Sequence, residues 1–180
     1  PFVAAAAVNP KVTVDERTGK VKNYTFRACF IDSFQGIVGV NFASNSLKAK
    51  NVAIMTDSSS DYSKGLTGIF KNAFAGKGGK IVAEEAYLQK DQDYKSILTK
   101  IKAKNPDLLY IPGYYEDVGK IIKQARELGM TIPVLGADAW DSPVLVELAG
   151  AQALNNTFFT NFYSMEDKNP VSNSFVEEYK

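Results

Sequence analysis

The chain has 180 residues, enough for one domain with a full hydrophobic core. Hydrophobic residues make up 45% and charged residues 23%, a globular rather than a disordered balance. The net charge of +1 gives no global electrostatic case for nucleic acid, and the absence of histidine removes the commonest general base and the commonest metal ligand together.

The longest apolar run, residues 2–8, is too short to span a bilayer. No charged segment precedes an apolar stretch ending in a cleavage site, so no signal peptide is read here. Residues 1–14 are apolar up to Asn9-Pro10, and residues 15–23 read as an exposed polar turn. Residues 24–30 read as a strand holding Cys29, the single cysteine. One cysteine excludes an intrachain disulfide, and its apolar setting suits a small buried hydrophobe. Residues 34–47 carry apolar side chains at helical spacing: Phe34, Ile37, Val38 and Phe42.

A regular alternation follows. Residues 51–56 form a short buried strand, and 62–75 an amphipathic helix stopped by Gly76, Gly78 and Gly79. Residues 80–87 are a strand and 94–104 a helix, with Ile97, Leu98 and Ile101 on one face and lysines mostly on the other. Strands at 107–112, 132–136 and 157–162 alternate with helices at 118–128 and 143–148. A last helix opens at 173–179, and both ends read as truncated. The period of about 25–30 residues is that of a βαβ crossover. Short, continuously apolar strands suit a parallel sheet buried on both faces. The expected class is α/β, a Rossmann-like parallel sheet with helices on both faces.

In such sheets, ligands bind at the carboxyl ends of the strands. That rule selects three loops: Asp57-Ser58-Ser59-Ser60-Asp61-Tyr62, Pro112-Gly113-Tyr114-Tyr115-Glu116, and Gly136-Ala137-Asp138-Ala139-Trp140-Asp141. They place aromatic rings, hydroxyls and carboxylates on one rim. Asp138 can pair with an ammonium, and Tyr114 and Trp140 can cover an apolar group and offer cation–π density. Main-chain N–H groups and hydroxyls around Ser60 and Ser63 can receive an anion. Each feature also has a plain structural reading. The serine run fits a solvated loop with an N-cap, Tyr114-Tyr115 fits strand-end packing, Asp141 fits an N-cap for the helix at Pro143, and Trp140 fits the core.

Enzyme motifs are missing. No GxGxxG or GxxxxGK[ST] is present, and Gly76-Lys77-Gly78-Gly79-Lys80 follows a helix and precedes a strand, the wrong end of the sheet for a phosphate cradle. No GxSxG elbow occurs, and without histidine a serine triad cannot form. Glu84 and Glu85 project to opposite faces of a strand, a poor acid–base pair.

Several stretches resemble the type I periplasmic binding proteins, specifically the leucine/isoleucine/valine receptor group of ABC importers. They are Ala7-Val8-Asn9-Pro10-Lys11-Val12-Thr13, Phe26-Arg27, Asp32-Ser33-Phe34-Gln35-Gly36, residues 52–57, Asp61-Tyr62-Ser63-Lys64-Gly65, residues 106–115, Gln124-Ala125-Arg126-Glu127-Leu128-Gly129 and residues 135–143. The resemblance implies two Rossmann-like lobes that close on a ligand. It implies that residues 1–23 are a remnant of the first lobe with a linker, 24–31 a hinge-crossing strand, 32–165 the second lobe, and 166–180 the start of a return segment. It further implies that Tyr62 and Tyr114 supply aromatic cover, that Asp138 binds the ligand's ammonium, and that Trp140 shapes the side-chain pocket. Backbone near Ala6 and a threonine before Asn-Pro hold the ligand carboxylate in the family. Val8 stands at that threonine position here, so the hydroxyl contact is lost.

The implied function is a non-enzymatic, periplasmic or extracellular amino-acid receptor that delivers its ligand to a membrane permease. No cofactor or metal is expected, and membrane contact is expected only through the permease or a lipid anchor. A ligand-sensing regulator of the same fold, a sugar-binding relative and an α/β enzyme stand as alternatives. Apolar surface left by a missing lobe is an expected driver of dimerisation.

Overall fold

Side chains alternate between the two faces of a strand, so a strand apolar at every position must be covered on both sides. The computed structural model, which describes residues 1–164 and 166–179, shows that arrangement. Near the amino terminus β1 (Phe2–Ala4) and β2 (Thr25–Arg27) pair in parallel as a small separate sheet. The main sheet has five parallel strands: β3 (Asn51–Asp57), β4 (Lys80–Tyr87), β5 (Leu108–Tyr110), β6 (Val134–Gly136) and β7 (Thr157–Phe159). Their spatial order is β4-β3-β5-β6-β7. Within this sheet the chain therefore winds outward from β3 in both directions, and the switch point lies between β3 and β5.

On one face, Val52 and Ile54 of β3, Leu108 and Tyr110 of β5 and Leu135 of β6 meet α1 (Asp32–Asn41) and α2 (Asp61–Gly76) through Val40, Phe70 and Phe74. On the other face, Ala53, Met55, Leu109 and Val134 meet α3 (Lys95–Lys102), α4 (Tyr115–Glu127) and α5 (Pro143–Ala149). The α/β class with helices on both faces is thus the observed one. A final helix, α6 (Pro170–Tyr179), follows β7 and buries none of its described residues.

Boundaries move by a few residues. The strand expected over 107–112 is paired over Leu108–Tyr110, with one further ladder-like bond from Ile111 N–H to the Leu135 carbonyl at 2.9 Å. Pro112 has no amide hydrogen to continue it. The strand expected over 157–162 ends at Phe159, and that over 24–30 spans Thr25–Arg27. Helix α4 begins before the expected 118, with Glu116 and Asp117 in its first turn, where the helix dipole favours acids. Ser142, not Asp141, caps α5: its hydroxyl accepts the Val144 N–H at 3.3 Å. Asp141 instead accepts a hydrogen bond from Asn161 Nδ2 at 2.6 Å.

The region expected as one helix over 34–47 is α1 followed by a π-type turn at Phe42–Ser46. Of the expected apolar stripe only Phe42 packs against the core, beside Phe158. Phe34, Ile37 and Val38 are exposed, while the buried face is Asp32, Gln35, Gly36, Gly39 and Val40. The reason is close helix packing. A Cβ added at Gly36 would lie 2.5 Å from Ile69 Cγ2, so α1 rests on α2 through small residues and turns its larger ones outward.

Trp140 is closed in on all sides and only 1% exposed. Its ring lies against Gly136, where a Cβ would sit 2.0 Å from Trp140 Cε2. Only a residue without a side chain admits the ring. Gly136→Ala is therefore expected to destabilise the fold by about 1–3 kcal/mol through overpacking. The check is urea unfolding, with a lower midpoint and an unchanged slope.

Candidate functional site

Because β3, β5 and β6 are neighbours and parallel, the loops that leave them share one edge of the sheet. Tyr62, in the first turn of α2, crosses the gap to the β6 loop. Its hydroxyl donates to Asp138 Oδ1 at 2.6 Å. Gln35, from the buried face of α1, donates to the same oxygen through Nε2 at 2.7 Å. Among the described residues Asp138 Oδ2 receives no hydrogen bond, so one carboxylate oxygen is anchored and the other is available. Tyr114, which precedes α4, sets its ring 5.4 Å from that of Tyr62, at 34°. An aromatic pair thus borders a partly buried carboxylate, a setting that receives a cation with an apolar body.

A second acid lies close by. Asp32, the first residue of α1, is 1% exposed, and neither of its carboxyl oxygens has a hydrogen-bond partner among the described residues. Burial pushes its pKa up from 3.8 to about 6; the negative charge of Asp138 adds to the rise and Arg27 opposes it. Burial and the same two acids also raise the Tyr110 hydroxyl, which underlies the site. Burial, then the charge of Asp138 and its hydrogen bond, hold the Tyr62 phenol in its neutral, donating form.

Between about pH 4 and pH 6 the folded protein keeps an Asp32 proton that the unfolded chain has lost. The stability contributed by this group is therefore full at acid pH and declines as pH rises through that window, by roughly 2–3 kcal/mol. Asp32→Asn is expected to abolish this decline. Urea unfolding of both proteins at several pH values between 4 and 7 measures the difference in slope; parallel profiles would contradict it.

The amino-terminal segment is tied to this region. The Val8 carbonyl accepts the Asp32 N–H at 3.1 Å and Arg27 Nη1 at 3.1 Å. Arg27 also donates to the Asn9 carbonyl at 2.8 Å and to Thr13 Oγ1 at 3.0 Å. The Val8 side chain is buried, whereas Ala6 is exposed and makes no contact with the Tyr62–Asp138 cluster among the described hydrogen bonds.

The structure thus brings together Tyr62, Tyr114 and Asp138. It does not bring Trp140 to the rim: the indole Nε1 donates to the Ile111 carbonyl at 3.2 Å and the ring packs in the core. Trp140 supports the loop that carries Asp138 rather than offering a ring face to a ligand. The serine hydroxyls are also committed elsewhere. Ser60 Oγ caps α2, Ser63 Oγ accepts the Asp57 N–H, and Ser58 Oγ donates to the Tyr87 carbonyl. They build the loop, where Ser60 and Ser63 are buried as acceptors of backbone N–H groups. Asp32 and Gln35 had been legible only as parts of a motif. Their i, i+3 spacing, continued by Gly36, Gly39 and Val40, marks a buried helical face with two polar members.

Comparison with known proteins identifies the family. The periplasmic binding protein family model matches residues 1–180. The crystal structure of the leucine-binding protein LivK from Thermotoga maritima superposes with a TM-score of 0.89 at 40% identity, covering 100% of this chain and 49% of that one. The branched-chain amino acid transporter substrate-binding protein LivJ from Streptococcus pneumoniae, solved with isoleucine, superposes at 0.78 with 36% identity, covering 87% of this chain and 44% of that one. Leu/Ile/Val-binding protein homolog 3 of Brucella melitensis is 28% identical over 173 residues, 96% of this chain and 46% of its own. The chain spans about half the length of these relatives.

Proposed function

The chain belongs to the periplasmic binding protein family, and on that premise we propose that it is part of an ABC-importer receptor for an amino acid with a hydrophobic side chain. The observation that carries the reading is the convergence on Asp138. Two neutral donors from different elements, Tyr62 and Gln35, fix one oxygen, and the ring of Tyr62 is paired with that of Tyr114. A carboxylate held in this way is oriented before the ligand arrives, so little ordering is left to oppose binding. The ammonium of an amino acid pairs with it, and the rings cover the adjoining apolar atoms.

In this reading residues 32–165 are the second lobe, residues 24–31 cross the hinge, and residues 1–23 with 166–180 border the first lobe. The exposed apolar faces of α1 and α6, which include Phe34, Ile37, Phe175 and Val171, are the surfaces the rest of the protein covers. Ligand bridging the two lobes stabilises the closed state by its greater affinity for that state. The closed protein then docks on its permease, outside the cytoplasm, and the ligand leaves unchanged.

No nucleophile–base pair or cofactor cradle was found in the sequence, and the relatives named above are binding proteins. Equilibrium dialysis of the full-length protein against labelled leucine, isoleucine and valine in turn, followed by mass analysis of the recovered ligand, tests the reading. Saturable retention of intact leucine, isoleucine or valine supports it. Turnover of the ligand, or retention of none of the three, rejects it.

A further inference from the structure

A parallel sheet has two unlike edges, and here they carry opposite charge. The segments that leave the strands, each taken with the first turn of the helix it enters (residues 57–64, 88–98, 111–118 and 137–146), hold the acids Asp57, Asp61, Asp91, Asp93, Glu116, Asp117, Asp138 and Asp141 against the bases Lys64, Lys90 and Lys95. The segments that enter the strands, each taken with the last turn of the helix before it (residues 43–50, 73–80, 99–107, 124–133 and 146–156), hold Lys48, Lys50, Lys77, Lys80, Lys100, Lys102, Lys104 and Arg126 against the acids Asp107, Glu127 and Glu147. Asp107 is itself committed, accepting the N–H groups of Lys50 and Asn51. The two edges stand about 20 Å apart along β3. A chain of net charge +1 is therefore strongly dipolar along its strands.

Six of these lysines, Lys48, Lys50, Lys77, Lys80, Lys102 and Lys104, are exposed, and among the described residues none of the six pairs with a carboxylate. The helix dipole accounts for a lysine close to a helix carboxyl end, as at Lys48, Lys77 and Lys102, but not for Lys50 and Lys80 beside the strands. Four of them, Lys48, Lys50, Lys77 and Lys80, line one groove of about 470 Å³. Ser44 lines it too, and its buried hydroxyl has no hydrogen-bond partner among the described residues.

We propose that this lysine edge is a docking surface for the anionic headgroups of a phospholipid bilayer. Clustered lysines on one face gain from a negative lipid surface additively, while the acidic rim is repelled by it. The same field that attracts the edge therefore orients the molecule. The ligand rim points away from the lipid and stays open to solvent, a posture for loading rather than for delivery. The proposal rests on charge placement alone and not on the ligand assigned above.

The test is co-sedimentation of the full-length protein with vesicles. Those of phosphatidylcholine containing about one third phosphatidylglycerol are expected to bind it at least about tenfold more strongly than pure phosphatidylcholine at low salt. The preference is expected to fade in high salt. Combined Lys48→Gln, Lys50→Gln, Lys77→Gln and Lys80→Gln should abolish the preference. Combined Lys20→Gln, Lys95→Gln, Lys123→Gln and Lys168→Gln, which removes the same charge elsewhere, should keep it. Circular dichroism and thermal melts confirm that both variants fold. No preference for anionic vesicles overturns the proposal, as does equal loss in the two variants. Binding to soluble polyphosphate without binding to vesicles overturns the lipid as occupant.

Discussion

Trp140→Ala is expected to lower folding stability by about 3–5 kcal/mol, the usual cost of emptying a buried aromatic site. The indole fills space under β6, touches Gly136 and donates to the Ile111 carbonyl, so its removal leaves a cavity and takes from that carbonyl one of its two hydrogen bonds, the Gly113 N–H remaining. Trp140→Phe keeps most of the volume and loses the hydrogen bond, and should cost less. Urea unfolding of the two variants measures the ranking. A pocket-lining role predicts a different pattern: near-native stability and an altered order of preference among leucine, isoleucine and valine. That pattern would return Trp140 to the ligand site.

Asp138→Ala is expected to weaken amino-acid binding by about 2–5 kcal/mol, the usual loss when one member of a buried charge pair is removed. This corresponds to roughly thirtyfold to several thousandfold in Kd. The substitution also strands the Tyr62 hydroxyl and the Gln35 amide, which now share one oxygen. Asp138→Asn separates the two effects, because its amide oxygen still accepts from Tyr62 while the charge is gone. If the charge is what holds the ligand, Asn loses nearly as much as Ala. Calorimetry showing native affinity in either variant would sink the assignment.

The sheet was legible because its strands are apolar at every position, as in Val52-Ala53-Ile54-Met55, and that pattern has one stable solution when helices alternate with it. The rim was legible for the same reason, since neighbouring parallel strands deliver their loops to one edge. The direction of individual side chains was not. Trp140 sits three residues from the start of the loop that carries Asp138, and only Gly136, which makes room for the ring, decides that it turns inward. The face of α1 was misleading because hydrophobicity marked Phe34, Ile37 and Val38 as core. The close approach to α2 admits glycine there and leaves those three outside. The long-range bonds to Asp138 join residues 76 and 103 positions apart in the chain, a coupling that spacing along the chain does not encode.

The central claim is that a fixed carboxylate at Asp138 receives the ammonium of a hydrophobic amino acid. Calorimetry of the full-length protein with leucine and with 4-methylpentanoate, the same molecule without its amino group, tests it most directly. The account predicts a saturable heat with leucine and at least about a hundredfold weaker binding of the des-amino acid, because the unpaired Asp138 charge would then be enclosed without a partner. Comparable affinity for the two, or binding of 4-methylpentanoate alone, would contradict it.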